Sequence, residues 1–495
     1  AGQSLSTLSI TTDAAGRAAS TLTLGDTAGD YTADATWNAA TVSFTATALT
    51  GAAAALQVNT QPGTTTAGQT VAAPPSVLVT DSGGNPVSGV TVSVSEQEGY
   101  IFDGGTLSAV SDGAGIATFS DLVINTAGTY TLEFSSTGLT TVASTAFDVI
   151  AAAASDLAIA SGNTQSARIS QTLAQDLTVE VSDALGNPLS GITVDFAITS
   201  VPAGSAGQSL GSASGVTDAA GQASVSFTLG DKVGDYIVDA SSAGLTTVQF
   251  TATATTGDPS AMSVITDAAL STAGQVIAGS PAVTVLDAGG NPVSGVNVTV
   301  SEQGGYTLDG GTLTVATNAS GVAEFTDLII ETAGDYTLVF NADAAGVADA
   351  TSGPFTVQAA AASSIEIAAI ASPQTAGTPF SVTLNAIDAF GNVDGSFAET
   401  ADLTTTAGTV DPVTASFTNG TVTLDVSVTQ SGSGRTITAT GQTSGVTGTS
   451  NGFDVDPGAV SGSVSTVTAT SPHTADGSDA STVTIVLADA NGNAI

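Results

Sequence analysis

Apolar and polar residues alternate in short runs along the whole chain. Val77 and Val79 precede a stretch of turn formers, Val90, Val92 and Val94 follow it, and Tyr130, Leu132 and Phe134 alternate with Thr131 and Glu133. A period of two over four to eight residues predicts half-buried strands, and no stretch repeats its apolar residues at the helical 3.6. Over residues 54–154 the pattern predicts strands near 55–58, 69–71, 76–80, 90–95, 106–109, 116–122, 128–135 and 144–150. Many short strands with turn signals about every ten residues specify an all-β chain of β-sandwiches.

One stretch organises the rest. Asp81-Ser-Gly-Gly-Asn-Pro-Val-Ser-Gly89 returns as Asp183-Ala-Leu-Gly-Asn-Pro-Leu-Ser-Gly191 and Asp287-Ala-Gly-Gly-Asn-Pro-Val-Ser-Gly295, then as Asp388-Ala-Phe-Gly-Asn392 and Asp489-Ala-Asn-Gly-Asn493, at steps of 102, 104, 101 and 101 residues. A period near 100 fits one complete small domain, so the chain reads as tandem sandwiches forming an elongated rod. Each copy lies between two alternating runs, the pattern of two strands joined by a tight loop. Asp accepts backbone N–H bonds across such a turn, while Gly and Asn tolerate positive φ. The motif is therefore assigned a structural turn role, carried by Asp81, Gly84 and Asn85 and their counterparts Asp183, Gly186, Asn187, Asp287, Gly290, Asn291, Asp388, Gly391, Asn392, Asp489, Gly492 and Asn493.

The repeat predicts four whole domains, 54–154, 155–257, 258–361 and 362–456, separated by short Ala, Gly or Pro punctuation such as Ala151-Ala-Ala-Ala-Ser155. Residues 1–53 match the second half of 155–257, because Ala1-Gly-Gln-Ser-Leu5 recurs as Ala206-Gly-Gln-Ser-Leu210, and 457–495 match a first half. Joined, the two halves lack the equivalent of 190–205, including the apolar run of Ile192, Val194, Phe196 and Ile198. That gap predicts a longer continuous polypeptide rather than completion of one half by the other. Alternate domains are the more alike: Ser95-Glu-Gln-Glu-Gly-Tyr100 and Asp103-Gly-Gly-Thr-Leu107 return as Ser301-Glu-Gln-Gly-Gly-Tyr306 and Asp309-Gly-Gly-Thr-Leu313. A recurring Gly-x-Tyr places Tyr130, Tyr236 and Tyr336 as corner residues whose hydroxyls bond backbone, with Ile437 in their place in 362–456.

Composition narrows the function. The 495 residues are 42% hydrophobic but only 5% aromatic, which suits small aliphatic cores. Forty-four acidic residues face four basic ones, Arg17, Arg168, Lys232 and Arg435, for a net charge of −40. Nucleic acid and anionic lipid are repelled by such a chain, and salt or divalent cations must screen its self-repulsion. The chain has no cysteine, hence no disulfide and no thiolate metal site, and no apolar run of 18 residues to insert in a membrane.

Catalysis has little to stand on. The single histidine, His473, follows Pro472 in a loop, and neither Ser-His nor Cys-His systems can repeat along the chain. Lys232, in Gly-Asp-Lys-Val-Gly, lacks the Ser or Thr that must follow the lysine of a phosphate-binding loop. Calcium is the open alternative for the aspartates, with Asp258, Asp454 and Asp456 as weak candidate ligands near junctions, against solvated or turn-capping roles for the same side chains. Trp37 either packs, lies on a strand edge or stacks on a sugar.

Thr474-Ala-Asp-Gly-Ser-Asp-Ala-Ser-Thr-Val-Thr-Ile-Val-Leu-Ala-Asp-Ala-Asn-Gly-Asn493, with the Thr217-Asp-Ala-Ala-Gly-Gln-Ala-Ser224 element, resembles the bacterial Ig-like domains of the invasin and intimin group. The resemblance extends to every unit and departs where Val393 and Ala494 replace the motif proline. It implies Ig-like sandwiches used as spacers in a giant extracellular surface adhesin, with neighbouring domains as partners. A self-assembling filament or surface layer, with other copies of the chain as partners, is the alternative.

Overall fold

A strand with apolar residues at every second position must bury one face, and this chain does so by pairing sheets. The computed structural model describes residues 2–495 and comprises two compact units, one ending at Thr255 and the other starting at Thr256. All regular structure among the described residues is strand, and no helix is long and apolar enough to cross a membrane.

The first unit opens with the short pair Ser4–Leu5 and Leu22–Thr23, followed by Gly29–Trp37 paired antiparallel to Ala40–Ala48. Trp37 ends this hairpin 78% exposed. Two sandwiches follow. In the first, Ala53–Thr60, Ser76–Asp81 and Ile116–Thr118 form one sheet, with Ser76–Asp81 in the centre. The facing sheet runs Val142–Ala143, Leu132–Ser135, Thr91–Glu96, Ser108–Val110. Between them Val77, Val79, Val92, Leu132 and Phe134 are fully buried, each contributing about 1.5–3 kcal/mol by leaving water. Phe119 and Phe134 pack at 5.4 Å between centroids. In the second sandwich a five-stranded sheet (Gln165–Arg168, Val248–Thr255, Gly234–Ser241, Thr193–Ser200, Ser214–Val216) faces Asp156–Ser161, Leu177–Ser182 and Gln222–Val225.

The second unit repeats the plan. One core includes Val283, Val285, Val298, Leu338 and Phe340, and the next Leu384, Leu403, Val426, Ile437 and Phe453. The hairpin of Thr466–Ala469 with Val483–Val486 follows.

The strand expected near 69–71 does not join a ladder, and of the one expected at 116–122 only Ile116–Thr118 does. Pro74 and Pro75 remove two donors there, leaving single bonds such as Val71 N to Leu122 O and Phe119 N to Pro75 O, both 2.9 Å. The run 128–135 divides at Thr131, Gly128–Tyr130 pairing with Phe147–Ile150 and Leu132–Ser135 with Thr91–Glu96.

The two strands that flank each motif are joined by its loop but are not partners. Ser76–Asp81 and Thr91–Glu96 lie in opposite sheets, as do Leu177–Ser182 and Thr193–Ser200, Ala282–Asp287 and Asn297–Glu302, and Phe380–Ile387 and Thr400–Thr405. The connection is longer than the two to five residues of a hairpin loop and crosses the roughly 10 Å between sheets. The motif thus sits at the end of each sandwich, where the chain changes layer. Val393 and Ala494 make the same backbone bridge there as Pro86, Pro188 and Pro292.

Candidate functional site

At the layer change the motif aspartate is buried and surrounded by donors. Asp183 is 2% exposed; its Oδ1 accepts the N–H groups of Leu185 (2.8 Å) and Asn187 (2.9 Å), while its Oδ2 accepts the Asn187 side-chain amide (2.9 Å). Oδ2 takes one further N–H, from Ala152 in the linker before the sandwich, at 2.8 Å. The same linker bond runs from Gly51 to Asp81, Gly257 to Asp287, Ala360 to Asp388 and Gly458 to Asp489, at 2.8–3.0 Å. Both oxygens act only as acceptors, which explains an aspartate rather than an asparagine. The turn glycines Gly84, Gly186, Gly290, Gly391 and Gly492 all hold φ between +76° and +88°, a region that side chains with a Cβ disfavour.

Asn85, Asn187, Asn392 and Asn493 reach the other way, into the preceding sandwich or hairpin. Asn187 Nδ2 donates to Asn125 O and Asn187 Oδ1 accepts Ala127 N–H, both at 2.8 Å. Asn85 does the same with Asp26 O and Ala28 N, Asn392 with Glu331 O and Ala333 N, and Asn493 with Thr429 O and Ser431 N. One planar amide therefore satisfies a donor and an acceptor of a neighbouring backbone and returns its second hydrogen to the motif aspartate. Asn291 gives its amide to both oxygens of Asp287. The motifs at Asp81, Asp183, Asp388 and Asp489 are each a clasp that gathers its own turn, the linker and the preceding loop around one carboxylate.

Each corner tyrosine holds the loop four residues before it, and three of these loops are the ones that receive Asn85, Asn187 and Asn392. Tyr130 OH donates to Thr126 O (2.9 Å), Tyr236 OH to Lys232 O (2.8 Å), Tyr336 OH to Thr332 O (2.8 Å) and Tyr31 OH to Thr27 O (2.6 Å). Burial pushes the Tyr130 and Tyr336 phenols up, keeping them protonated donors. In 362–456 the expectation for Ile437 is corrected. Its N–H donates to Ser450 Oγ as Leu132 N–H does to Ser144 Oγ, so Ile437 is the counterpart of Leu132. Arg435 stands opposite Phe453, as Tyr130 stands opposite Phe147, and its guanidinium donates to Ser431 O, four residues back like the tyrosine bonds. A one-residue bulge between Gly432 and Arg435 hides the match in sequence.

The repeated 95–107 and 301–313 segments brace the same loop. Tyr100 OH donates to Asp103, whose Oδ2 accepts Asn125 N–H at 2.7 Å; Tyr306 and Asp309 treat Glu331 N–H identically. The Tyr100 hydrogen bond holds the Asp103 carboxyl below its usual range.

The remaining candidates are scattered. Asp258 is exposed in the linker, and Asp454 and Asp456 lie on the exposed face of Phe453–Asp456, Asp454 accepting Gly434 N–H. Among the described residues no three or more His, Cys, Asp or Glu converge. His473 lies between Asp479 Oδ1 (3.1 Å) and Thr470 Oγ1 (2.8 Å), a nucleophile-like row. Its Nε2 is nearer still to the Thr470 carbonyl, 2.7 Å away, and Thr470 Oγ1 also accepts Thr482 N–H. A nitrogen donating to a carbonyl cannot take a proton from a hydroxyl. The arrangement is a loop brace.

Two outcomes follow from the clasp. The Asn85 amide, then the Gly51 and Asn85 N–H groups, hold Asp81 down to about 2. Burial raises Asp489, yet donors from Asn493 and Gly458 outweigh it and bring it to about 2; Asp183 and Asp388 are lowered against the same opposing burial. Folded pKa values below the ordinary 3.8 make the stabilisation complete above that pH and progressively lost as pH falls toward 2. Linker amides should therefore exchange faster at pH 2.5 than the intrinsic pH dependence of exchange explains, and a constant protection factor from pH 5 to 2.5 contradicts this. Tyr130→Phe should lower the stability of its sandwich by about 1 kcal/mol through the loss of one partly buried hydrogen bond. An unchanged calorimetric midpoint argues against the corner role.

Residues 76–161 match the model of the carboxypeptidase regulatory-like domain. A search of curated proteins found no match. Among solved structures, the Escherichia coli adhesin FdeC is 21% identical, covering 63% of this chain and 99% of its own, with a TM-score of 0.37. Invasin, a bacterial integrin-binding protein, is 15% identical, covering 82% of this chain and 81% of its own, with a TM-score of 0.33. Domains 1–6 of the surface layer protein SbsC are 16% identical, covering 89% of this chain and 58% of their own, with a TM-score of 0.20. The chain is similar to the Ig-like domain arrays of bacterial adhesins, and the likeness is one of fold.

Proposed function

We propose that the chain is a non-enzymatic stalk segment of a very long exported bacterial surface adhesin, extending a binding region away from the cell. Its partners are the neighbouring domains of the same chain, with units at 54–154, 155–257, 258–361 and 362–456 between the partial domains 1–53 and 457–495. The observation that carries this reading is the clasp: at Asn187 and Asn392 alike, the same side chains are spent on joining a sandwich to what precedes it. A chain that invests its recurrent buried carboxylates in junctions, and sets none of them in a cleft with a nucleophile, is built to transmit position rather than to turn over a substrate. Electron microscopy of the native surface tests the reading. Separate strings projecting from the cell support it, whereas ordered filaments or sheets of many chains favour self-assembly in its place.

Charge adds a condition. A net charge of −40 with four cations leaves most carboxylates repelling one another, so added sodium chloride should raise the melting temperatures in chelator. Recovery with sodium alone means screening. Recovery only with micromolar calcium would assign specific sites, beginning with Asp258, Asp454 and Asp456, and no response to either ion contradicts the electrostatic account.

A further inference from the structure

The clasp leaves the side chain two residues after the aspartate without a role. The residue two after the aspartate is Gly83, Leu185, Gly289, Phe390 or Asn491, and its own sandwich gives it little cover, Leu185 being 46% and Phe390 43% exposed. What these side chains touch is a glycine in the preceding sandwich. Leu185 Cδ1 lies 2.9 Å from where a Cβ on Gly68 would stand, Phe390 Cζ 2.2 Å from that of Gly274, and Asn491 Nδ2 2.8 Å from that of Gly377. The three glycines are equivalent: φ is +77°, +74° and +76°, and their N–H groups donate to Ile124 O, Ile330 O and Val428 O, on the segments that lead into the asparagine-binding loops. At the first junction the arrangement is inverted, Gly83 lying so close under Asp26 O that its own Cβ would stand 2.2 Å away.

Two hydrogen bonds from one amide fix the distance between two backbones but tolerate rotation about the line joining them, because hydrogen-bond angles are soft. A contact off that line removes the rotation. We propose that the third motif residue and the facing glycine form a key and a slot: the slot accepts the Asp-x-x-Gly-Asn loop of a following domain of this chain, and the size of the key sets the angle at which that domain is held. Small motif residues cannot provide this contact at a glycine slot, and large ones cannot enter a slot that carries a Cβ. Junctions within one chain are thereby individually matched. The inference concerns how domains pair and holds wherever the chain is displayed.

The absence of cysteine makes the test direct. Thr118→Cys and Ser224→Cys, exposed positions on either side of the second junction, are introduced into the full chain and spin-labelled, and the distance distribution is read by double electron–electron resonance. Leu185→Gly should broaden the distribution about twofold while core strands keep their exchange protection. Gly68→Ala should shift or broaden it, and the double variant should be no worse than Leu185→Gly alone, because the added methyl then meets only Asn125 Oδ1 at 3.7 Å, an ordinary contact. Asn187→Ala, which removes the clasp but not the key, serves as the reference for a freed junction. An unchanged distribution in Leu185→Gly overturns the proposal, as do effects of Gly68→Ala and Leu185→Gly that simply add.

Discussion

Gly448→Val should markedly lower the unfolding temperature of the sandwich that contains Phe380–Ile387 and Thr400–Thr405. Gly448 lies in Thr447–Thr449, opposite Ala439, at the edge where this short strand passes the other sheet. A Cβ built there would stand 1.6 Å from Ile365 O and 2.6 Å from its carbonyl carbon. Both atoms belong to backbone, so no rotamer change relieves the clash and the sheets must part at Ser364–Ile367. Their separation exposes Ile365 and Ile367, now 3% and 8% exposed, and the cost is about 3 kcal/mol. In a domain of this size that lowers the midpoint by roughly 10–20 °C. Scanning calorimetry of the full chain should show one transition displaced and the others in place. An unaltered thermogram would contradict the close approach of the two sheets.

Asp183→Ala should have the second largest effect, and Asp183→Asn should be nearly as severe. Alanine strands the N–H groups of Leu185, Asn187 and Ala152 and one hydrogen of the Asn187 amide, all of which now end on the two carboxylate oxygens. Unsatisfied buried donors cost about 1–3 kcal/mol each and do not add fully, so a loss of about 3 kcal/mol is expected. Asparagine preserves the shape but turns one oxygen into a donor facing donors. A structural role confined to the turn would let asparagine work, since turn aspartates and asparagines commonly exchange. Urea unfolding followed by the Tyr236 environment, buried in the same sandwich, reads the loss. Wild-type stability in Asp183→Asn would remove the dual-acceptor argument.

These residues also mark how far the sequence could be read. Alternation located the strands because burial of every second side chain is a local property. It could not assign strands to sheets, since Val77 and Val79 show the same alternation as Val92 and Val94 although they belong to facing layers. The motif was visible as a turn because Asp, Gly and Asn have intrinsic turn chemistry. Its reach was not, because the Asn partners are main-chain atoms 57–64 residues upstream, and a backbone N–H or C=O carries no residue identity. The tyrosine corners were legible from Gly-x-Tyr; Arg435 was not, because the bulge shifts its spacing by one residue and a guanidinium does the work of a phenol. Leu185 and Phe390 differ from each other and from Gly83, so repetition itself concealed them. Gly448 gave no signal in Thr447-Gly448-Thr449, where a glycine in a strand reads only as a weak point.

The central claim is that the Asp-x-x-Gly-Asn motif joins one domain to the next, and the Ala127 amide reports on it most directly. Ala127 N–H lies in the preceding sandwich and ends on Asn187 Oδ1 of the following one at 2.8 Å. In the full chain, hydrogen exchange at Ala127 should accelerate at least about tenfold in Asn187→Ala, the factor that corresponds to a loss of about 1.4 kcal/mol, while amides of Leu132–Ser135 keep their wild-type rates. Unchanged protection at Ala127, or equal loss of protection throughout both sandwiches, would contradict the account.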